Sequence, residues 1–196
     1  MNTSEAFPDI RFENESARIF ADSWASLPKI DLVPAQNSFE PEDVSPLLPA
    51  FEIHEMRGPG QIDVRLSGTA LTDRYGFDMT GKSYLEAVHP KSREKVWRAL
   101  WHIVAKPCGM VVYIQSARES GMIQISGAVG FPFRDNAGRI TQVIYQNILG
   151  DQVNFWNYRN DKRKSSYAVR RTYIDIGARV PDCDDSEDSA SGGVDD

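Results

Sequence analysis

The chain reads as an α+β domain: a five-stranded antiparallel sheet with its helices grouped on one face, preceded by an additional N-terminal helix. Three observations predict this. Alternating apolar and polar residues at 51–57 and 62–67 flank the turn Gly58-Pro59-Gly60, which makes 51–67 a hairpin. One long amphipathic pattern runs from Pro90 to about Ala105, with Pro107 ending it. Three strand patterns then follow in succession, and the last two are joined by the polar loop Arg134-Asp135-Asn136-Ala137-Gly138-Arg139.

Taken in order, residues 1–10 read as a frayed start. Glu15 to Leu27 is a helix, because Ala17, Phe20, Ala21, Trp24 and Leu27 recur at three- and four-residue spacing, and Pro28 stops it. The segment up to Phe51 contains Pro34, Pro41, Pro46 and Pro49, and so wraps as a loop with one short helix, PEDVSPLL. Residues 1–50 are therefore a helix and a proline-rich wrap ahead of a core domain at 51–150. In the hairpin, Phe51, Ile53 and Glu55 alternate with Glu52, His54 and Met56. Gly68 breaks the second strand, and Thr69 stands where a helix N-cap would. Gly76 and Gly81 end short turns, Ser83 can cap YLEAV, and His89-Pro90 opens the long helix. On a helical wheel Trp97, Leu100, Trp101 and Val104 share one face, flanked by Val96 and Ile103, with His102 opposite. The three later strands are Gly109 to Ser116, Met122 to Phe133 and Ile140 to Leu149. Residues 151–181 are a mixed aromatic and basic extension in which TYIDIGARV is a short strand or nothing. Residues 182–196 are an acidic tail without aromatics, which reads as disordered.

The net charge of −6 is unevenly spread over the 196 residues. From Asp182 onward there are seven acids and no base; removing those seven charges from −6 leaves +1. A near-neutral folded part argues against a nucleic-acid surface, and the basic run Lys162 to Lys164 with Arg170 and Arg171 reads as a solvated face. Cys108 and Cys183 stand far apart and read as reduced thiols of a cytosolic protein. The N-terminus has no secretory pattern, and no apolar run is long enough to span a membrane.

With Tyr75-Gly76, Gly81-Lys82-Ser83, Val88-His89-Pro90 and the hairpin FPFRDNAGRITQVI in place, the chain resembles a PAS domain, over roughly Trp24 to Gly150. It is most similar to an alphaproteobacterial single-PAS family with a Trp-bearing N-terminal helix ahead of RLSGTALTDRYG and GKSYLEAVHP. The resemblance implies a sensory or adaptor module that holds a small ligand between the long helix and the sheet, or docks a protein partner. It implies no reaction, and with no output segment recognisable the signal would leave through a partner or a second copy. The Asn-Cys-Arg-Phe run of flavin-binding photosensors is absent, which argues against flavin. Heme would need an axial ligand such as His102, which the wheel turns to solvent.

The aromatic walls of a cavity are expected from Tyr75, Tyr84, Trp97, Trp101, Tyr113 and Tyr145. Its hydrogen-bonding groups are expected from Gln124, Ser126 and Asn147, with strand parity leaving open which face of that strand is inside. Arg65, Gly68, Gly76, Gly81, His89 and Pro90 are read as structural: Arg65 as an ion pair with Asp73 or Asp78, His89 as a helix cap. The three histidines and Cys108 lack metal-ligand spacing, so no metal site is expected. The amphipathic N-terminal helix, with Phe20, Trp24 and Leu27, is the expected partner or homodimer contact. Two alternatives remain: a small enzyme using Asp63, Asp73 or Asp78 as a buried carboxylate, and an interaction domain with a filled core.

Overall fold

Alternation along three central strands sends apolar side chains to both faces of one sheet. In the computed structural model, which describes residues 4, 6–148 and 163–182, these strands are β5 (Gly109–Arg118), β6 (Ile123–Arg134) and β7 (Ile140–Ile148). Val111, Tyr113, Val129, Phe131 and Ile144 belong to one buried cluster. Their neighbours Met110, Val112, Ala128, Val143 and Tyr145 belong to a second cluster on the opposite face. The hairpin β3 (Phe51–Gly58) and β4 (Gln61–Ser67) and the strand β8 (Arg163–Ile174) complete an antiparallel sheet in the order β4-β3-β7-β6-β5-β8.

The sheet thus has six strands where the sequence suggests five. The sixth, β8, lies in the stretch read as a mixed extension. A register shift explains why: Ile114 pairs with Ala168 but Tyr113 pairs with Arg170, so Val169 is an extra, unpaired residue. Tyr167 and Ile174 therefore share a face despite opposite parity, and no period of two survives along the strand.

The helix α1 (Glu15–Ser26) covers the first face. Asn14 caps it, accepting from the Ser16 amide at 2.8 Å. Its indole Trp24 stacks on Phe131 with centroids 4.6 Å apart and donates from Nε1 to the Pro132 carbonyl at 3.2 Å. Phe20 meets Phe51 edge-on at 5.2 Å. Lys29 closes the helix, donating from Nζ to the carbonyls of Trp24, Ala25 and Leu27; burial lowers its pKa. Phe7 also stacks on Phe131, at 5.3 Å, so the described part of the supposedly frayed start is packed. This arrangement corrects the expected docking stripe. Phe20 and Trp24 are 0% and 1% exposed, and Leu27 packs against the same cluster, so the sheet of the same chain consumes the apolar face of α1. A short ladder, β1 (Lys29–Ile30) with β2 (Val33–Pro34), leads into the 3-10 turns Gln36–Ser38 and Pro41–Ala50.

The opposite face carries α2 (Thr69–Tyr75), the 3-10 turns Tyr84–Ala87 and Pro90–Ser92, and α3 (Arg93–Ala105). Gly68, not Thr69, is the N-cap of α2. A Cβ on Gly68 would lie 2.3 Å from the Pro49 carbonyl oxygen, so the proline-rich wrap requires glycine there. Gly76 ends α2 at φ +82°, and Gly81, at φ +80°, lets its amide reach the Val64 carbonyl on the outer edge of β4. His89 caps the turn at Pro90–Ser92, its Nδ1 accepting from the Lys91 amide at 3.3 Å, with Pro90 first in the turn. The buried side of α3 is Ala99, Leu100, Ile103 and Val104. That stripe is rotated from the expected one and leaves Trp101 37% exposed. The wheel weights tryptophan as purely apolar, whereas the Trp97 indole N–H needs a partner and finds the Gly58 carbonyl at 3.0 Å, at the rim.

Asp135 sets the β6–β7 turn. One carboxylate oxygen accepts from the amides of Ala137 and Arg139, both at 2.9 Å; the other accepts from Arg139 Nε at 3.0 Å and Thr141 Oγ1 at 3.1 Å. Desolvation acts to raise its pKa, but these hydrogen bonds outweigh it and leave the pKa lowered.

Two outcomes are expected. Trp24→Ala should cost about 3–5 kcal/mol in urea unfolding, as an aromatic removed from a closed core; a loss under 1 kcal/mol would mean α1 is not seated on Phe131. Asp135→Asn should destabilise the protein most at neutral pH. Its folded pKa is lowered, so the carboxylate contributes fully above the unfolded value of about 3.9 and loses that contribution as pH falls through the folded value. The gap between wild type and variant should therefore narrow in acid, and a gap that widened would contradict the assignment.

Candidate functional site

A cavity of about 80 Å³ lies between α3 and the β5–β8 side of the sheet. Val96 and Leu100 of α3, with Val88 ahead of it, form its roof. Its floor is Met110, Val112 and Ile114 of β5 and Ser166, Ala168 and Arg171 of β8. Tyr75 at the end of α2 and Tyr84 in the following turn supply its aromatic walls. The β5 alternation aims the even-numbered residues here, and the Val169 bulge decides which arginine joins them. Val112 pairs with Arg171 on the cavity face, whereas Tyr113 pairs with Arg170 on the α1 face. Arg170 lies 4.2 Å over the Tyr113 ring and donates to Glu13 at 2.6 Å. The hydrogen bond from Arg170 holds the Glu13 carboxyl below the ordinary range. Arg171 is the one side chain with a formal charge among the described residues lining the cavity.

A second polar group is buried on the same face, beside Tyr84. Glu52 and Tyr145 are directly paired across β3 and β7, and His54 is two residues along from Glu52. All three are under 5% exposed. The His54 ring lies 4.3 Å from Tyr84 and 4.9 Å from Tyr145, centroid to centroid. His54 Nε2 is 3.1 Å from Glu52 Oε2, close enough to pair electrostatically but out of line for a hydrogen bond. Glu52 Oε1, His54 Nδ1 and the Tyr145 hydroxyl are buried and have no hydrogen-bond partner among the described residues. Burial pushes the Tyr145 phenol well above its ordinary pKa, so it is a neutral hydroxyl at physiological pH. Its ring occupies the space over Gly130, where an added Cβ would come within 2.2 Å of it.

The structure sorts the expected residues as follows. Tyr75 and Tyr84 line the cavity. Trp97 fastens α3 to the β3–β4 turn and stacks on Trp101 at 5.6 Å, so neither wall is tryptophan. Tyr113 is on the wrong face, under Arg170. Gln124 and Ser126 share a face with Ser116 and Ile114, which settles the open parity toward α3; Ser126 is buried, but neither reaches the cavity. Tyr145 belongs to the Glu52–His54 group. Asn147 is structural, donating from Nδ2 to the Ala50 carbonyl at 3.2 Å. Arg65 pairs with Glu55 at 3.3 Å instead of Asp78, because the strand alternation sets them on neighbouring strands of the hairpin; the Asp73 side chain lies outside the described residues. Asp63 is bound by Arg57 at 3.0 Å, and Asp78 accepts from the Thr80 amide at 2.8 Å, so neither is a buried unpaired acid. Among the described residues no three His, Cys, Asp or Glu side chains group as a metal site. His102 is half-buried, edge-on to Tyr173 at 6.3 Å, and not in the cavity lining. Cys108 is buried; Cys183, the acidic tail, NFWNYR and Lys162 lie outside the described residues.

Missed by sequence reading were Arg171, Ser166 and Ala168, hidden by the bulge, and the Glu52–His54 pair, whose polar alternation mimics an exposed face. Six-strand pairing of the basic stretch would have exposed the first three.

A six-stranded antiparallel sheet carrying short helices and one long helix over a small cavity defines an α+β module. The chain belongs to the PAS domain family, whose profile matches residues 12–145. No curated protein matches significantly. Among solved structures it is similar to an RNA-binding Light-Oxygen-Voltage receptor, at 18% identity and TM-score 0.40, over 68% of this chain and 39% of that one. It thus spans about two-fifths of that receptor. It is also similar to the LOV domain of the blue-light photoreceptor Aureochrome1, at 14% identity and TM-score 0.38, over 56% and 88% of the two chains. A sensory box histidine kinase/response regulator from Burkholderia thailandensis E264 is similar at 15% identity and TM-score 0.32, over 56% and 83%. No described helix is long and apolar enough to cross a membrane.

The buried pair makes one prediction. His54→Leu removes the imidazole that faces Glu52 Oε2 and should destabilise the protein by about 1–3 kcal/mol. The double variant Glu52→Leu/His54→Leu should be more stable than His54→Leu alone in urea unfolding. A double variant equal to the sum of the two singles would show that the two side chains do not interact.

Proposed function

We propose that this chain is a cytoplasmic sensory or adaptor PAS domain that responds to a small ligand in the α3-face cavity and passes the response to a partner protein or a second copy. The observation that carries this is the cavity itself, lined by apolar side chains from two strands and α3 with a few convergent polar groups, the usual makeup of a small-molecule site. Leu100 and Val96 line it from α3, so an occupant changes how that helix rests on the sheet. The ligand acts only so far as it binds one helix position more tightly than another. The buried face of α1 favours a contact surface elsewhere than Phe20 and Trp24. Neither flavin nor heme is expected as a cofactor, and the visible absorbance of freshly purified protein tests both.

An enzymatic reading is favoured by one observation, the buried Glu52–His54 pair with its unpartnered atoms. It requires that pair to meet a substrate, and the side chain touching both the pair and the cavity is Tyr84.

Native mass spectrometry of the intact chain, followed by thermal-shift screening of metabolites, tests the ligand reading. A bound small molecule, or a ligand-dependent rise in Tm that Ala168→Leu removes by filling the cavity, is the expected result. A Tm response unchanged by Ala168→Leu would place the ligand elsewhere.

A further inference from the structure

We infer that the exposed end of the α1 face of the sheet docks a partner protein, through a short segment that combines carboxylates with aliphatic or aromatic side chains. This rests on the partner half of the reading above and names the surface and the chemistry that meets it.

The surface follows from strand length. The cluster beneath α1 takes Val129, Phe131 and Phe133 of β6, but the strand begins at Ile123, so its first residues extend beyond that cluster. Ile125, Gln115 and Tyr167 form one row across β6, β5 and β8, two residues along β5 from Tyr113 of the core. Ile123 and Ala117 form the next row outward on the same face. Ile123 and Ile125 are each 55% exposed, Tyr167 is 41% exposed, and Val169 of the bulge is exposed as well. Gln115 Nε2 donates to the Tyr167 hydroxyl at 2.7 Å, which holds the ring in its row. Single exposed apolar side chains are ordinary, but adjacent rows of them on one face mark a contact surface.

Charge identifies the partner. Every charged residue of β5, β6 and β8 is basic: Arg118, Arg134, Arg163, Lys164, Arg170 and Arg171. Glu13 pairs with Arg170, Asp31 pairs with Arg134, and Glu119 stands in the β5–β6 turn, so the bases still outnumber the acids. An acidic segment is attracted to such a surface and a like-charged one is repelled. A second copy would bring the same basic strands against its own. Other stretches of this chain each lack one requirement. Residues 149–162 include Phe155, Trp156 and Tyr158, but Asp151 and Asp161 are balanced by Arg159 and Lys162. The run from Asp182 onward has seven acids, but no aromatic and no aliphatic side chain larger than valine. A partner segment carrying both features satisfies the apolar rows and the charge together.

The test is fluorescence anisotropy of the full chain with three labelled peptides of equal length: leucine alternating with glutamate, leucine alternating with lysine, and serine alternating with glutamate. The leucine–glutamate peptide should bind, and less tightly as salt is added; the other two should bind at least about tenfold more weakly. Ile123→Ser/Ile125→Ser should weaken the leucine–glutamate peptide about tenfold, whereas Ile30→Ser, at an isoleucine exposed elsewhere, should leave it unchanged. If the double variant fails to fold, the wild-type contrast among the three peptides and the salt series decide. A folded double variant with undiminished binding, either other peptide matching the first, salt-insensitive binding, or no binding at all would each overturn the inference. A concentration-dependent dimer that Ile123→Ser/Ile125→Ser disperses would put a second copy on the surface and overturn it too. So would binding that appears only in Phe155→Ser/Trp156→Ser, which would give the surface to residues 149–162. A cavity-ligand Tm response that survives any of these outcomes leaves the ligand reading standing.

Discussion

Everything in this molecule follows from covering one antiparallel sheet on both faces. A sheet with one wet face needs one apolar set of residues; this one needs two, displayed alternately along β5, β6 and β7. The first set is aromatic: Phe20, Trp24, Phe51, Phe131 and Phe133 interlock beneath α1. The second is aliphatic and less complete. Leu100, Ile103 and Val104 of α3 meet Met110, Val112 and Val143, and toward β8 the contact opens into the cavity.

Polar groups are buried on both sides of the sheet: Gln142 and Gln146 of β7 are buried on the α1 face, beside Phe133 and Phe51. On the α1 face, charged groups such as Arg170 and Glu13 meet at the rim, where both are about half exposed and the pair costs little to form. On the α3 face, Glu52, His54 and the Tyr145 hydroxyl are buried with acceptors and donors to spare. Groups of this kind are expensive in a closed core. Tyr84 stands beside His54 of this group and also lines the cavity, so the two share a side chain.

Much of the fold was legible in the sequence because each relevant signal was local. The prolines, the Gly58-Pro59-Gly60 turn and the periods of α1, β5, β6 and β7 each require only a few neighbouring residues, and the family motifs from Tyr75 to Pro90 add fixed spacing. The cavity was half legible. Tyr75 and Tyr84 follow from their position after a strand break, and Leu100 from the helical period. Arg171 was not, because a single bulged residue at Val169 inverts the parity of the rest of β8, and a bulge is a property of two paired strands rather than of one. Trp97 and Trp101 misled for a different reason: the helical wheel fixes angles between side chains but not the rotation of the helix on the sheet. Tyr113 failed because a strand buried on both faces gives parity no preferred inside. His54 and Glu52 failed because polar residues at alternate positions ordinarily mark water.

The central claim is that the cavity side of the sheet is the responsive one. Amide hydrogen exchange across the intact chain, with and without a saturating cavity ligand, tests this most directly. The account predicts slowed exchange confined to α3, β5 and β8, with α1 and its strand contacts unchanged. Protection spread evenly over both faces, or confined to α1, would contradict it.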